Sequence, residues 1–208
     1  RLRAFQKGKT DILIGTQLIA KGLDFKNVGL VGIISADVAL NIPDFRSPER
    51  ALQLIIQAAG RAGRGDEKGK VVIQTYSPEH YAVAFAAAQD YEGFYKTEIQ
   101  LRKYMGYPPF SDMFQILFTS ADQQEALRGA QSWHDRLMKA LPEEEKGKLF
   151  RPQEAYMSKI KEKYRYSMLI KCPKGRRRGY SDMINSIREE DKKDRKKNYT
   201  AVTDINPY

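Results

Sequence analysis

Two arginines three residues apart close the run Gln57-Ala58-Ala59-Gly60-Arg61-Ala62-Gly63-Arg64. If a helix continues through it, Gln57, Arg61 and Arg64 stand at i, i+4 and i+7 on one face, opposite the apolar one. Gly60 and Gly63 remove side chains beside the arginines, so another backbone or a ligand can come close. Two planar, permanently charged guanidinium forks on one ridge suit a phosphate that gains or spreads negative charge. The same spacing also describes an exposed basic helix end whose arginines face its last carbonyls. Spacing alone leaves both open.

A second run, Gly15-Thr16-Gln17-Leu18-Ile19-Ala20-Lys21-Gly22-Leu23-Asp24-Phe25, follows a short apolar stretch. A strand ending at Gly15 would put Thr16 and Gln17 in the crevice beyond its carboxyl end, where ligands bind in open α/β sheets. Asp24 is chemically suited to accept from a ribose hydroxyl, and equally to cap a helix or turn. Lys21 suits a phosphate or solvent. Further along, Lys159, Lys161, Lys163 and Arg165 interleave with Tyr164 and Tyr166. Cations for phosphates and rings for base stacking are what a single-stranded or branched-DNA binder uses. A half-buried strand with tyrosines inside and lysines outside has the same pattern.

The elements that must position these side chains are legible in outline. The chain opens on what reads as the last turn of an amphipathic helix stopped by Gly8, an interior segment of a longer protein rather than a natural amino terminus. Residues 11–15, 30–34 and 71–75 are short apolar runs suited to buried strands of a parallel sheet. Between the last two, Ser47 to about Ala62 reads as a helix with Ser47 as N-cap and Pro48 in its first turn. Leu52, Ile55, Ile56 and Ala59 supply its apolar face. The spacing predicts helices over residues 80–89 and 91–105, broken by Tyr107-Pro108-Pro109-Phe110. Beyond the break the order is strand 113–118, helix 122–141, extended segments 150–157 and 164–171, helix 181–190 and strand 199–205. That β-α-β-β-α-β order is the split βαβ, or ferredoxin-like, arrangement. The expected domains are therefore 1–90 as part of an α/β lobe, 91–110 as a helical junction and 111–208 as a ferredoxin-like α+β domain.

Composition narrows the classes. With 41% hydrophobic and 30% charged residues among 208, the chain is a folding, non-fibrous one. No apolar run approaches the roughly 20 residues of a membrane helix, and no signal peptide is evident, so a cytoplasmic address without membrane contact is expected. The single cysteine, Cys172, excludes an internal disulfide and reads as a part-buried small hydrophobe. Neither His80 nor His134 has a partner at metal-ligand spacing, so no metal site is expected. The net charge of +10 is uneven: residues 1–92 carry 12 basic and 10 acidic side chains, residues 93–208 carry 24 and 16. An excess of this sign leans toward a polyanion such as nucleic acid, concentrated in the second half.

The Gln-x-x-Gly-Arg-x-Gly-Arg run resembles motif VI of superfamily 2 helicases, and the Gly15–Phe25 run resembles their motif V. Within that superfamily the closer similarity is to the primosomal replication protein N′ (PriA) family. It rests on the Gly15–Phe25 run, Ala36-Asp37, Leu40-Asn41-Ile42-Pro43-Asp44-Phe45-Arg46, Tyr107-Pro108-Pro109-Phe110-Ser111, Tyr164-Arg165-Tyr166 and the terminal Asp204-Ile205-Asn206-Pro207. The likeness implies a partial RecA-like lobe followed by the carboxy-terminal domain of an ATP-dependent 3′→5′ DNA helicase. That enzyme would bind forked or single-stranded DNA and restart replication with single-strand-binding protein and other primosome proteins. By the same likeness, Arg61 and Arg64 are arginine fingers on the γ-phosphate and Gln57 senses nucleotide state. Gly22 and Asp24 approach base and ribose, and Thr16 and Gln17 meet the DNA backbone. Lys163 and Arg165 are expected at a DNA- or partner-binding face. No phosphate-cradling Gly-x-x-x-x-Gly-Lys-Ser/Thr loop, no Mg²⁺-holding Asp-Glu pair and none of the family's zinc cysteines occur here, which the likeness places upstream in the parent protein. This segment alone is expected not to hydrolyse ATP. Two other classes fit part of the pattern: a non-catalytic nucleic-acid binder with a helicase-like scaffold, and a recombination-fork or RNA helicase.

Overall fold

The structure, a computed structural model, describes residues 2–16, 28–63, 69–194 and 197–207. They form two compact units, residues 1–98 and 99–208, each with its own apolar cluster.

In the first unit, β1 (Leu30–Ile33) and β2 (Lys70–Ile73) pair in parallel, Leu30 opposite Lys70 and Ile33 opposite Ile73. After the short helix α1 (Leu2–Gln6), the connection between the strands carries α2 (Asp37–Leu40) and α3 (Ser47–Ala59). Asp37, buried beyond β1, accepts from the Thr75 hydroxyl at 2.9 Å and from the Tyr76 amide, tying the chain ends that leave the two strands. Leu52 and Ile55 of α3 pack into a cluster with Ala82, Val83 and Ala86 of α4 (Tyr81–Ala88) and with Phe94. Phe94 belongs to α5 (Tyr91–Met105). The His80 ring accepts from the Ala82 amide at 3.2 Å and so caps α4.

Three expectations need correction here. Residues 11–15 form no strand: Ile12 and Ile14 are 79% and 86% exposed, and neither β1 nor β2 pairs with them. An apolar run becomes a strand only where a neighbour completes its ladder. Ser47 is not an N-cap but the first helical residue, its hydroxyl donating back to the Ile42 carbonyl. And α3 stops at Ala59 instead of running to Ala62.

The second unit is a four-stranded antiparallel sheet in the order β4-β5-β3-β6. Its strands are β3 (Ser111–Ser120), β4 (Gln153–Ile160), β5 (Lys163–Pro173) and β6 (Thr200–Ile205). Helix α6 (Gln123–Ala140) joins β3 to β4 across β5, and α7 (Arg177–Lys193) joins β5 to β6 across β3. Two interleaved split βαβ units make this the ferredoxin-like fold. Both helices cover one face of the sheet. Phe114, Ile116 and Phe118 stand opposite Ile170, Met168 and Tyr166, and these six bury against Trp133 and Leu137 of α6 and Tyr180, Ile184 and Ile187 of α7. Asp122 caps α6 by accepting from the Glu125 amide at 3.0 Å.

Candidate functional site

Arg61 and Ala62 leave α3 in a tightened turn, their amides donating to Ala58 and Ala59 at 3.0 Å each. Gly63 then takes φ +74°, a left-handed conformation that ends any helix and that glycine adopts without strain. Gln57 is still helical and exposed; Arg61 is half-buried beyond the helix stop. The helix that would carry a continuous i, i+4, i+7 ridge therefore ends before Arg61. The Gly63 amide donates to the Val28 carbonyl at 3.0 Å. This bond sets the turn beside the chain entering β1, just after the Gly15–Phe25 run. Thr16 is exposed and outside any regular element. Arg64, Gln17, Lys21, Gly22 and Asp24 lie outside the described residues.

The loop ahead of α3 is knotted on itself. Asp44 accepts from the Arg46 amide and pairs with Arg50 at 2.9 Å, while the Arg46 guanidinium lies 4.8 Å from the Phe45 ring centre. Phe45 is half-buried under that cation. A rigid lead-in of this kind fixes where α3 begins and hence where its arginine end emerges.

In the second unit, strand alternation sorts the basic-aromatic run onto two faces. Tyr164 and Tyr166 share the face of Phe118, and Tyr166 is 7% exposed, its hydroxyl 3.1 Å from the Gln123 amide nitrogen that donates to it. Lys163 and Arg165 turn to the other, helix-free face, Arg165 opposite Thr119. Lys163 is exposed; Arg165 donates to the Met157 carbonyl at 3.3 Å. Lys159, ion-paired with Glu162 at 2.7 Å, lies 5.0 Å from the Tyr164 ring centre. A concavity of about 230 Å³ opens among Glu154, Ser158, Lys159, Tyr164 and Arg165 at the β4–β5 hairpin. Within this run a cation thus meets a ring at Lys159 and Tyr164.

The two sequence signatures of the second unit have structural work that spacing did not reveal. Asn206 donates its backbone N–H to the Met113 carbonyl at 2.7 Å and its amide group to Asp112 at 2.9 Å. Its Oδ1 accepts from the Met113 amide at 2.8 Å, clamping the end of β6 to the start of β3. In Tyr-Pro-Pro-Phe-Ser, the Ser111 hydroxyl donates to the Gly106 carbonyl at 2.6 Å and closes the turn between α5 and β3. Arg176 meets buried Glu145 at 2.6 Å, and Lys197 pairs with Asp191. No helix among the described residues is long and apolar enough to cross a membrane.

Comparison with known proteins follows the same division. The helicase conserved C-terminal domain model matches residues 1–66, and the primosomal protein N C-terminal domain model matches residues 103–208. Replication restart protein PriA of Bacillus subtilis (strain 168) is 39% identical over 210 residues, covering 100% of this chain and 25% of its own length. The proteins of the same name from Borreliella burgdorferi and a Synechocystis strain are 39% and 36% identical over 81% and 83% of the chain, or 25% and 20% of their own lengths. The chain thus spans a quarter or less of these relatives. The first unit is accordingly part of a RecA-like helicase lobe. With the primosomal model covering half of the chain and the helicase model ending just past the two arginines, the chain belongs to the PriA family of replication restart proteins.

Proposed function

We propose that this chain is the carboxy-terminal portion of an ATP-dependent 3′→5′ DNA helicase that binds stalled or branched replication forks and promotes primosome assembly. The observation that carries the reading is the Gly63–Val28 hydrogen bond, which seats the Arg61 turn beside the residues following the Gly15–Phe25 run. The second of the two segments that resemble helicase motifs is thereby tied to Val28, three residues after the first one ends.

In the parent protein, ATP with Mg²⁺ supplies the phosphoryl chemistry that drives strand movement. The described residues fit the arginine side of such a site: a helix stop, two glycines and the half-buried Arg61 between them. Arg61 and Arg64 would steady charge on the terminal phosphate, with Gln57 reporting nucleotide state from the last turn of α3. Gly22 and Asp24 would meet base and ribose, and Thr16 and Gln17 the DNA backbone. The phosphate loop, the Mg²⁺-holding carboxylates and the family's zinc sites are assigned to other parts of the parent. The helix-free face carrying Lys163 and Arg165 is the proposed DNA-contacting or partner-contacting surface. Single-strand-binding protein and the other primosome proteins are its proposed partners, in the cytoplasm.

The test is Arg61→Ala and Arg64→Ala in the full-length parent, with ATPase and DNA binding measured separately. Arginine fingers contribute roughly 10³ to 10⁵ in rate in related phosphoryl transfers. ATPase should fall by at least the lower of those factors while DNA affinity is kept. Unaffected ATPase would refute the finger role.

A further inference from the structure

At the end of the β3–β5 pair nearest the α5–β3 turn, a cavity of about 370 Å³ is lined by three lysines and three apolar side chains. These are Lys103, Lys148 and Lys171 with Tyr104, Met105 and Phe110. The lysines come from three elements: the last turn of α5, the end of the 3₁₀ helix Glu143–Lys148, and β5. None of them forms an ion pair among the described residues, and no carboxylate lines the cavity. The nearest acids are already engaged: Glu145 by Arg176 and the Tyr180 hydroxyl, Asp112 by Asn206. Lys171 is fixed in place, its ammonium donating to the Met105 carbonyl at 2.6 Å and standing 4.2 Å from the Tyr107 ring centre. Burial lowers its pKa, as expected for a cation with rings and a carbonyl but no anion around it.

Three converging ammonium groups without a counter-charge call for an anionic ligand. Its remaining chemistry is set by the rim. Tyr104 is 88% exposed and Phe110 38%. An open ring is a platform that a flat base covers on one face, whereas an aliphatic or aromatic peptide side chain needs walls on several sides. The cavity's size is also at the small-ligand end of the usual range, about 300–1,000 Å³, enough for one nucleotide.

We infer that this cavity seats one nucleotide of single-stranded DNA, with Lys103 and Lys148 on its phosphate and the Tyr104 ring against its base. The inference rests on the DNA-binding reading above and adds a contact point at the opposite end of β5 from Lys163 and Arg165.

The experiment titrates the 208-residue chain with a short oligodeoxythymidylate, an abasic oligomer of equal length and an oligoaspartate peptide, over a range of salt. Lys103→Ala with Lys148→Ala should weaken oligothymidylate binding and lower the slope of log affinity against log salt by roughly 0.7 per lysine. Tyr104→Ala should cost roughly tenfold on oligothymidylate and nothing on the abasic strand. Lys103 and Tyr104 are exposed and Lys148 is half-buried, and emission from buried Trp133 reports that each variant is folded. If oligothymidylate binding ignores these variants but falls with Lys163→Ala and Arg165→Ala, the cavity is not a nucleotide site and the wider DNA reading stands. Loss of oligoaspartate binding with DNA binding intact would assign the cavity to an acidic protein segment and overturn the inference. An unsubstituted chain that binds no oligothymidylate at all would remove the DNA-binding reading itself, and the cavity with it.

Discussion

The Asp191 carboxylate accepts from the Trp133 indole and the Tyr199 hydroxyl on one oxygen and from Arg136 and Lys197 on the other. Four donors from α6, from the chain after α7 and from the threshold of β6 thus converge on one side chain at the end of α7. Burial alone would raise its pKa, but the donors outweigh burial and hold it at about 2. Its unfolded value is about 3.9. Because the folded pKa is the lower one, the stabilisation is complete above about pH 4 and is lost as pH falls through the folded value. In urea unfolding, the chain should lose on the order of 2 kcal/mol between pH 4 and pH 2 from this group. Asp191→Asn should cost about 2 kcal/mol at neutral pH, since half-buried Arg136 and Lys197 lose the carboxylate between them, and should flatten the acid profile. An equally steep acid profile in the variant would show that other carboxylates carry it. Glu145 does similar work at the other end of α7, joining Arg176 and Tyr180, and burial with that hydrogen bond pushes the Tyr180 phenol well above its usual range.

At the scale of elements, α6 lies so close to the start of β6 that a Cβ on Gly129 would stand 2.7 Å from the Tyr199 ring. Alanine normally stabilises a helix interior relative to glycine by about 1 kcal/mol. Here the ring cannot yield, being pinned by its bond to Asp191 at 2.7 Å and by packing 6.1 Å from Phe118. Overpacking of this kind costs about 1–3 kcal/mol, so Gly129→Ala should lower the melting temperature despite its better propensity; a rise would mean the helix can slide. The contrast explains what could be read beforehand. The apolar run 113–118 and the aromatic run 164–171 are local signals, and the β-α-β-β-α-β order followed from them and the segments between. The stop of α3 at Ala59 was masked by a sequence that keeps helical spacing to Arg64. The failure of residues 11–15 to pair, the Asp191 cluster and the three-lysine cavity depend on partners drawn from distant positions. Single-element periodicity carries no trace of them. For the site, residue types and spacing gave the arginine run and left open a strand with tyrosines inside and lysines outside, which the register with β3 then fixes.

For the whole molecule, the distribution of charge and the division into two units make separable expectations. Residues 93–208 hold 24 of the 36 basic side chains against 16 of the 26 acidic ones, so polyanion binding should reside mainly in the ferredoxin-like unit. Lys163 and Arg165 both face the helix-free side of its sheet. Replacing both with glutamine should weaken binding to forked DNA about equally for all sequences, because side chains that meet phosphates carry no base information. It should also reduce the salt slope by roughly 0.9 for each duplex-arm phosphate that is no longer neutralised. The first unit contributes a different kind of dependence. Under the proposed function its arginine turn serves a nucleotide whose phosphate-binding loop is not in this sequence, so the chain by itself should bind DNA without DNA-stimulated ATP turnover. Turnover that survives rigorous purification would sink that division of labour. An unchanged salt slope in the double variant would instead move the DNA path off this sheet face while leaving the arginine assignment intact.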